Sequence, residues 1–233
     1  MSKPKAVILT GAGISAESGI KTFRDADGLW EGHDVMEVAS PQGWKKNREL
    51  VLDFYNQRRR QLKEVEPNAG HRALKALEEK FEVVIVTQNV DNLHERAGSS
   101  NIIHLHGELT KSRSCIDDTK IYDCPDDINI GDRCPQGAQM RPHIVWFGEA
   151  VPMLERAAFE VSEADVIVII GTSMQVYPAA GLTSFARPGV PIYYIDPRPT
   201  INHELQSARN LEVIAENAST GVPKLAERLL KVV

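Results

Sequence analysis

Seven histidines (33, 71, 94, 104, 106, 143 and 203) and three cysteines (115, 124 and 134) are the side chains of this 233-residue chain best suited to acid–base or metal chemistry. Two histidines stand together in His104-Leu105-His106-Gly107, at the end of an apolar run, so both imidazoles leave one face of a strand. An imidazole titrates near working pH and can serve there as a general base; equally, a histidine in such a place can be a satisfied core residue. Gln88-Asn89-Val90-Asp91 follows another apolar run. Its amides and carboxylate can bond a carboxamide and sugar hydroxyls, or form an Asx turn that caps the next helix. Gly11-Ala12-Gly13-Ile14-Ser15-Ala16 is a G-x-G-x-x-A stretch directly after the first apolar run. Glycines there let the backbone turn sharply and approach a pyrophosphate, although purely structural turns use them too. Tyr55-x-x-Arg58 completes the set. On a helix these two share a face, and a phenol beside a guanidinium can receive a carboxylate; the plainer reading is a surface arginine and a half-buried tyrosine.

The elements that must position these groups follow from patterning. Residues 7–10, 83–87, 101–105, 166–170, 192–195 and 211–214 are short, nearly continuous apolar runs, as expected of strands buried on both faces of a parallel sheet. Amphipathic stretches over 48–64, 71–80 and 220–232 read as helices, the last with an N-cap at Ser219 or Thr220. Strand–helix alternation gives an α/β fold: a Rossmann-like doubly wound parallel sheet with a small inserted subdomain, in one domain spanning 1–233. In a dehydrogenase-type unit the second strand arrives within ~30 residues and ends in a ribose-binding acid. Here the next strand starts near Val83, so residues of about 20–80 are expected to insert as a lid, and hydride transfer is disfavoured. Residues 110–142 hold all three cysteines and six aspartates with little periodicity, and read as a small excursion between core strands.

Composition narrows the function classes. Apolar residues make up 42% and aromatics 6%, which favours an aliphatic α/β core over an aromatic-rich sandwich. A formal charge of −5 carries no nucleic-acid footprint. The run Arg58-Arg59-Arg60 is too short to change that, and Arg59 and Arg60 read as a solvated helix face. No apolar run approaches the ~20 residues that span a bilayer, and no secretory pattern is visible. Three cysteines cannot form a closed disulfide set, which together with these features points to a reducing, cytoplasmic setting.

Five ordered motifs resemble the sirtuin family: residues 10–30 (Thr-Gly-Ala-Gly-Ile-Ser-Ala-Glu-Ser-Gly, then Thr22-Phe23-Arg24 and Gly28-Leu29-Trp30), Thr87-Gln88-Asn89-Val90-Asp91, His104-Leu105-His106-Gly107, Val145-Trp146-Phe147-Gly148-Glu149 and Gly171-Thr172-Ser173. The resemblance implies an NAD-dependent protein-lysine deacylase that yields free lysine, nicotinamide and O-acyl-ADP-ribose, with His106 as the base. It places NAD on Gly11, Ala12, Gly13, Ile14, Phe23, Arg24 and Trp30, on Gln88, Asn89, Val90 and Asp91, and on Gly171, Thr172 and Ser173. Asp196-Pro197-Arg198 stands where many relatives carry Asn-x-Glu, which leaves the adenine-ribose contact open; Ala218 is a further adenine neighbour. Acylated-lysine protein is the implied partner, its peptide lying as a strand between Phe147-Gly148-Glu149 and the 174–176 segment, which includes Val176. Tyr55, Arg58 and the small Ala39 match the branch that removes succinyl and malonyl groups. Rival readings are an ADP-ribosyltransferase or NAD glycohydrolase, and a non-catalytic NAD sensor. The family's zinc module uses two Cys-x-x-Cys pairs, whereas here eight residues separate Cys115 from Cys124 and nine separate Cys124 from Cys134. Three thiolates with Asp117, Asp118 or Asp123 could supply four ligands, but the spacing favours loss of zinc.

Overall fold

The computed structural model describes residues 2–21 and 29–232. In chain order the strands are β1 (Lys5–Thr10), β2 (Leu29–Trp30), β3 (His33–Asp34), β4 (Glu82–Thr87), β5 (Ile102–His104), β6 (Gly107–Ser114), β7 (Ile121–Asp123), β8 (Met140–Ile144), β9 (Val166–Ile170), β10 (Ile192–Ile195) and β11 (Leu211–Ile214). The helices are α1 (Gly13–Ala16), α2 (Val35–Val38), α3 (Pro41–Lys46), α4 (Arg48–Leu62), α5 (Ala69–Leu77), α6 (Leu93–Arg96), α7 (Leu154–Ser162), α8 (His203–Gln206) and α9 (Ala218–Val232), with a 3-10 helix over Ala179–Phe185. All six expected core strands form one parallel sheet in the order β11-β10-β9-β1-β4-β5. The last helix begins at Ala218, ahead of the residues expected to cap it.

The apolar runs are continuous because both faces of the sheet are covered. Along β1, Ala6 and Ile8 pack with Leu74 and Leu77 of α5 and Val222 and Leu225 of α9. Val7 and Leu9 point the other way, toward Ala157 and Val161 of α7, Leu182 and Leu205. Each fully buried Val, Leu or Ile contributes about 1.5–3 kcal/mol. The chain builds β4 and β5 on one side of β1, then crosses to add β9, β10 and β11 on the other. The loops after β1 and β9 therefore part at a topological switch point, where doubly wound sheets open a crevice for ligands.

A third core lies outside the sheet. Val51, Leu52, Phe54 and Tyr55 of α4 pack with Val38, Ala39 and Trp44, and also with Leu109, Ile128, Ile144 and Trp146 from the excursion side. The two insertions thus share one core. The stretch expected as a lid over 20–80 divides, because α5 belongs to the layer against α9. Excursion strands β7, β6 and β8 form a small antiparallel sheet.

Polar side chains fasten that sheet to α4. Buried Asn56 donates from Nδ2 to the Ile128 carbonyl (2.9 Å) and accepts the Ile128 N–H at Oδ1 (2.9 Å). The Arg59 guanidinium donates to Asn56 Oδ1 (2.7 Å) and to the Leu109 carbonyl (2.8 Å). Arg59 is only 2% exposed, which corrects the solvated face expected for it; Arg60 is exposed and pairs with Asp127. Cys115 is exposed, Cys124 half-buried and Cys134 buried. Among the described residues no cysteine joins a converging group of three or more metal-ligating side chains.

Candidate active site

The glycine loop after β1 is fixed by its neighbour after β9. Gly11 N–H donates to the Ile170 carbonyl (3.0 Å) and Gly13 N–H to the Gly171 carbonyl (2.8 Å). A Cβ on Gly13 would stand 2.6 Å from Gly171 Cα, and one on Gly171, at φ 59°, would stand 2.4 Å from Ile14 N. The fingerprint glycines are therefore required first by two backbones in contact, with the ligand crevice above them.

The second loop hangs from two histidines. His106 Nδ1 lies 3.0 Å from the Gln88 carbonyl and His104 Nδ1 lies 3.2 Å from the Asn89 carbonyl. A carbonyl only accepts, so Nδ1 of His106 carries the proton and Nε2 keeps a lone pair. Burial holds the His106 pKa below its ordinary value, against the pull of the Gln88 carbonyl, so the ring is neutral at working pH. Neutral imidazole with a bare Nε2 is the state a base needs. Asp91 accepts the Leu93 N–H at Oδ1 (3.0 Å), forming the Asx turn, and the Ser15 hydroxyl at Oδ2 (2.9 Å). Asn89 Nδ2 donates to the same hydroxyl oxygen (3.2 Å), and Gln88 Nε2 donates to Thr172 Oγ1 (3.0 Å). Burial raises the Asp91 pKa despite these bonds.

One wall is aromatic. Trp146 Nε1 donates to the Tyr55 hydroxyl (3.0 Å), and Tyr55 is fully buried, which pushes its phenol pKa up. Trp30, Phe54, Tyr55, Trp146 and Trp44 form a chain of ring contacts with centroids 5.0–6.5 Å apart. Arg58 lies over the Phe54 ring at 4.0 Å and donates to the Phe54 carbonyl (2.7 Å), with Glu31 as a loose ion partner at 3.7 Å. Burial lowers the Arg58 pKa, Glu31 opposing it. Sequence reasoning missed the part of Glu149. Its carboxylate takes Arg141 at 2.7 Å, Arg113 at 2.9 Å and the Trp146 N–H at 2.9 Å, pinning the Trp146-Phe147-Gly148 turn. Burial works against its charge, but these donors outweigh it and hold the carboxyl below the usual range.

One cavity of about 410 Å³ joins these parts. It is lined by Gly11, Ala12, Gly13, Asp196, Pro197 and Arg198, and by the loop of Gly171, Thr172 and Ser173, which touches the glycine loop. Gln88, Asn89, Val90, Asp91 and His106 line it as well. So do Trp30, Ala39, Tyr55 and Arg58 of the aromatic side, and Phe147, Gly148 and Val176. Two expected cofactor residues stand apart from this lining. Ile14 is a fully buried core residue, and Ala218 packs in the same core while Asn217 lines the cavity in its place. Met174, on the expected peptide-binding segment, is likewise buried. Phe23 and Arg24 lie outside the described residues. Asp196 gives one oxygen to the Arg198 N–H (2.8 Å). Hydroxyls, amides and a carboxylate spaced along a glycine-floored crevice are the donor set that sugar hydroxyls, a carboxamide and a pyrophosphate require, so the residues present fit a nicotinamide dinucleotide. No helix among the described residues is long and apolar enough to cross a membrane.

Fold and cavity define a Rossmann-type α/β protein with a dinucleotide crevice opening onto an aromatic pocket. The Sir2 family model matches residues 11–178, and the chain belongs to that family. It is 59% identical over 225 residues to the NAD-dependent protein deacylase of Helicobacter pylori strain ATCC 700392 / 26695, covering 97% of both chains. It is 51% identical to the NAD-dependent protein deacylase of Bacteroides thetaiotaomicron, over 96% of this chain and 97% of the relative. Among solved structures, a Sir2 homologue in complex with ADP ribose superposes with a TM-score of 0.89 at 38% identity, covering 99% of this chain and 93% of that one. A Sir2 bound to acetylated peptide superposes at 0.78 with 28% identity and the same coverage.

Proposed function

We propose that the chain is an NAD-dependent protein-lysine deacylase that removes succinyl and malonyl as well as acetyl groups, acting on cytoplasmic proteins. The family and the relatives' names support the NAD-dependent deacylase reading over a glycohydrolase or a sensor. The observation that carries the acyl specificity is that Tyr55 and Arg58 both line the cavity that also holds His106.

NAD supplies the ribose electrophile and the nicotinamide leaving group. The protein's part begins with holding it: Gly11, Ala12 and Gly13 would hold the pyrophosphate, Gly171, Thr172 and Ser173 phosphate and ribose, and Gln88, Asn89 and Asp91 the nicotinamide side. Asp196, Pro197 and Arg198 take the adenine ribose end. His106 Nε2 accepts a ribose hydroxyl proton, and its Nδ1–H bond to Gln88 keeps the ring aimed. The substrate strand enters past Phe147, Gly148 and Val176, and Ala39 leaves room for the acyl chain.

An entering acyl carboxylate would meet the Arg58 guanidinium and the Tyr55 hydroxyl, displacing Glu31, whose 3.7 Å contact is the looser one. Charge-assisted bonds of this kind are worth about 1.5–3 kcal/mol, or roughly 10- to 150-fold in rate. Kinetics on matched acetyl and succinyl peptides test the reading. Arg58→Met should lower the succinyl-to-acetyl ratio of kcat/KM by at least roughly 10-fold; an unchanged ratio rejects the receptor.

A further inference from the structure

His104, beside the active-site loop, faces an acceptor on both sides. Its Nδ1 lies 3.2 Å from the Asn89 carbonyl and its Nε2 lies 2.6 Å from Glu95 Oε1 on α6. A neutral imidazole has a single N–H, so with that form one of the two contacts would set acceptor against acceptor. Both contacts together require both ring nitrogens to be protonated, and histidine is a stronger base than the carboxylate it shares that proton with. His106, two residues on, meets the Gln88 carbonyl and, among the described residues, no carboxylate. One strand end thus carries two imidazoles in different charge states: a neutral one facing the cavity and a cationic one behind the loop.

We propose that His104 is a positioning residue for the deacylation: an imidazolium strut between Glu95 and the Asn89 carbonyl that holds the Gln88–Asp91 loop against the nucleotide. Asn89 is gripped at both backbone ends, its N–H by Thr87 Oγ1 (3.0 Å) and its carbonyl by His104. The adjoining Gln88 carbonyl is the anchor of His106, so slack at Asn89 passes directly to the base. The charges around the strut suit a cation. Glu95 stands on α6 and Glu108 on β6, the latter paired with Lys111 at 2.8 Å, and the buried Asp91 carboxyl lies in the loop itself. The other titratable neighbour, His94, is buried and its pKa is pushed well below the ordinary value, so it adds no competing charge. Burial opposes the His104 charge, and the Glu95 hydrogen bond and charge, with Glu108, outweigh it. When His104 loses its second proton, one of its two bonds must go, and nucleotide binding should weaken.

This inference rests on the reading that the Gln88–Asp91 loop holds the nicotinamide side of NAD, and the test separates the two. NAD affinity without acyl peptide is measured by calorimetry from pH 6 to pH 10, alongside an NMR titration of the histidine ring protons. Wild type should bind NAD more weakly above the His104 titration. Glu95→Gln should move both that transition and the ring titration toward neutral pH by about one unit or more. His104→Asn places an amide nitrogen where Nδ1 stands, a donor that does not titrate, so its affinity should stay level across the alkaline range. The inference is overturned if the ring titrates at its ordinary value in wild type, or if both folded variants keep the wild-type alkaline transition. Asn89→Ala serves as the separate arm: unchanged NAD affinity there would sink the loop assignment itself.

Discussion

Asn56→Ala should release the excursion from α4. Asn56 makes three hydrogen bonds, two to the Ile128 backbone and one to Arg59. Ile128 is 2% exposed, so truncation leaves a buried N–H and a buried carbonyl without partners. Each orphaned group costs about 1–3 kcal/mol, which puts the loss near 4 kcal/mol before the Arg59 bond is counted. That is smaller than the upper range of total stability for a domain, about 5–15 kcal/mol, so the sheet should stay folded while the excursion opens. Amide hydrogen exchange reads this directly: protection over residues 107–144 should fall by roughly 100- to 1,000-fold, while that of β1, β4 and β9 is retained. The same exchange should be insensitive to a chelator, because polar bonds to α4 hold the excursion. A change below about 1 kcal/mol, or a chelator that opens the excursion in wild type, would refute the reasoning.

Three further outcomes follow, two from the site and one from a buried histidine of α5. Gly171→Ala sets a Cβ 2.4 Å from Ile14 N at a positive φ, so thermal melting should show a loss of about 2–4 kcal/mol, and calorimetry a loss of NAD binding. Glu149→Gln strands two buried guanidiniums, whose side chains are 8% and 9% exposed, and should cost about 3 kcal/mol in urea unfolding and raise KM for the peptide. His71 is fully buried and burial holds its pKa down at about 4, so between there and about 6.5 only the unfolded chain binds the proton. Stability should therefore fall by up to roughly 3 kcal/mol as pH drops through that window, with His94 adding in the same direction, and His71→Gln should flatten the fall in the urea midpoint.

The six core strands were legible because both faces of the sheet are covered, which leaves no polar alternation to blur residues such as Val166–Ile170. The loop motifs stood out for a related reason, since the glycine, Gln-Asn-Val-Asp, His-Gly and Gly-Thr-Ser stretches each follow a strand end, whereas Tyr55-x-x-Arg58 lies within α4. What escaped the sequence depends on distant partners. Arg59 looks like one of three surface arginines until Leu109, fifty positions on, turns its carbonyl to it. The shared core of lid and excursion joins residues such as Trp44 and Trp146 that no local period links. Ile14 sits inside the fingerprint, yet its side chain turns into the core; a strictly local motif cannot tell backbone proximity to a ligand from side-chain contact. His104 was visible beside His106, but nothing local announces that Glu95 on α6 comes to 2.6 Å from its Nε2.

The central claim is that neutral His106 takes the ribose proton in an NAD-dependent deacylation. Purified protein is incubated with NAD and an acyl-lysine peptide, and products are identified by mass. Wild type should form free lysine peptide, nicotinamide and O-acyl-ADP-ribose in equal amounts, and His106→Ala should form no O-acyl-ADP-ribose while staying folded. Near-normal product from His106→Ala would contradict the account.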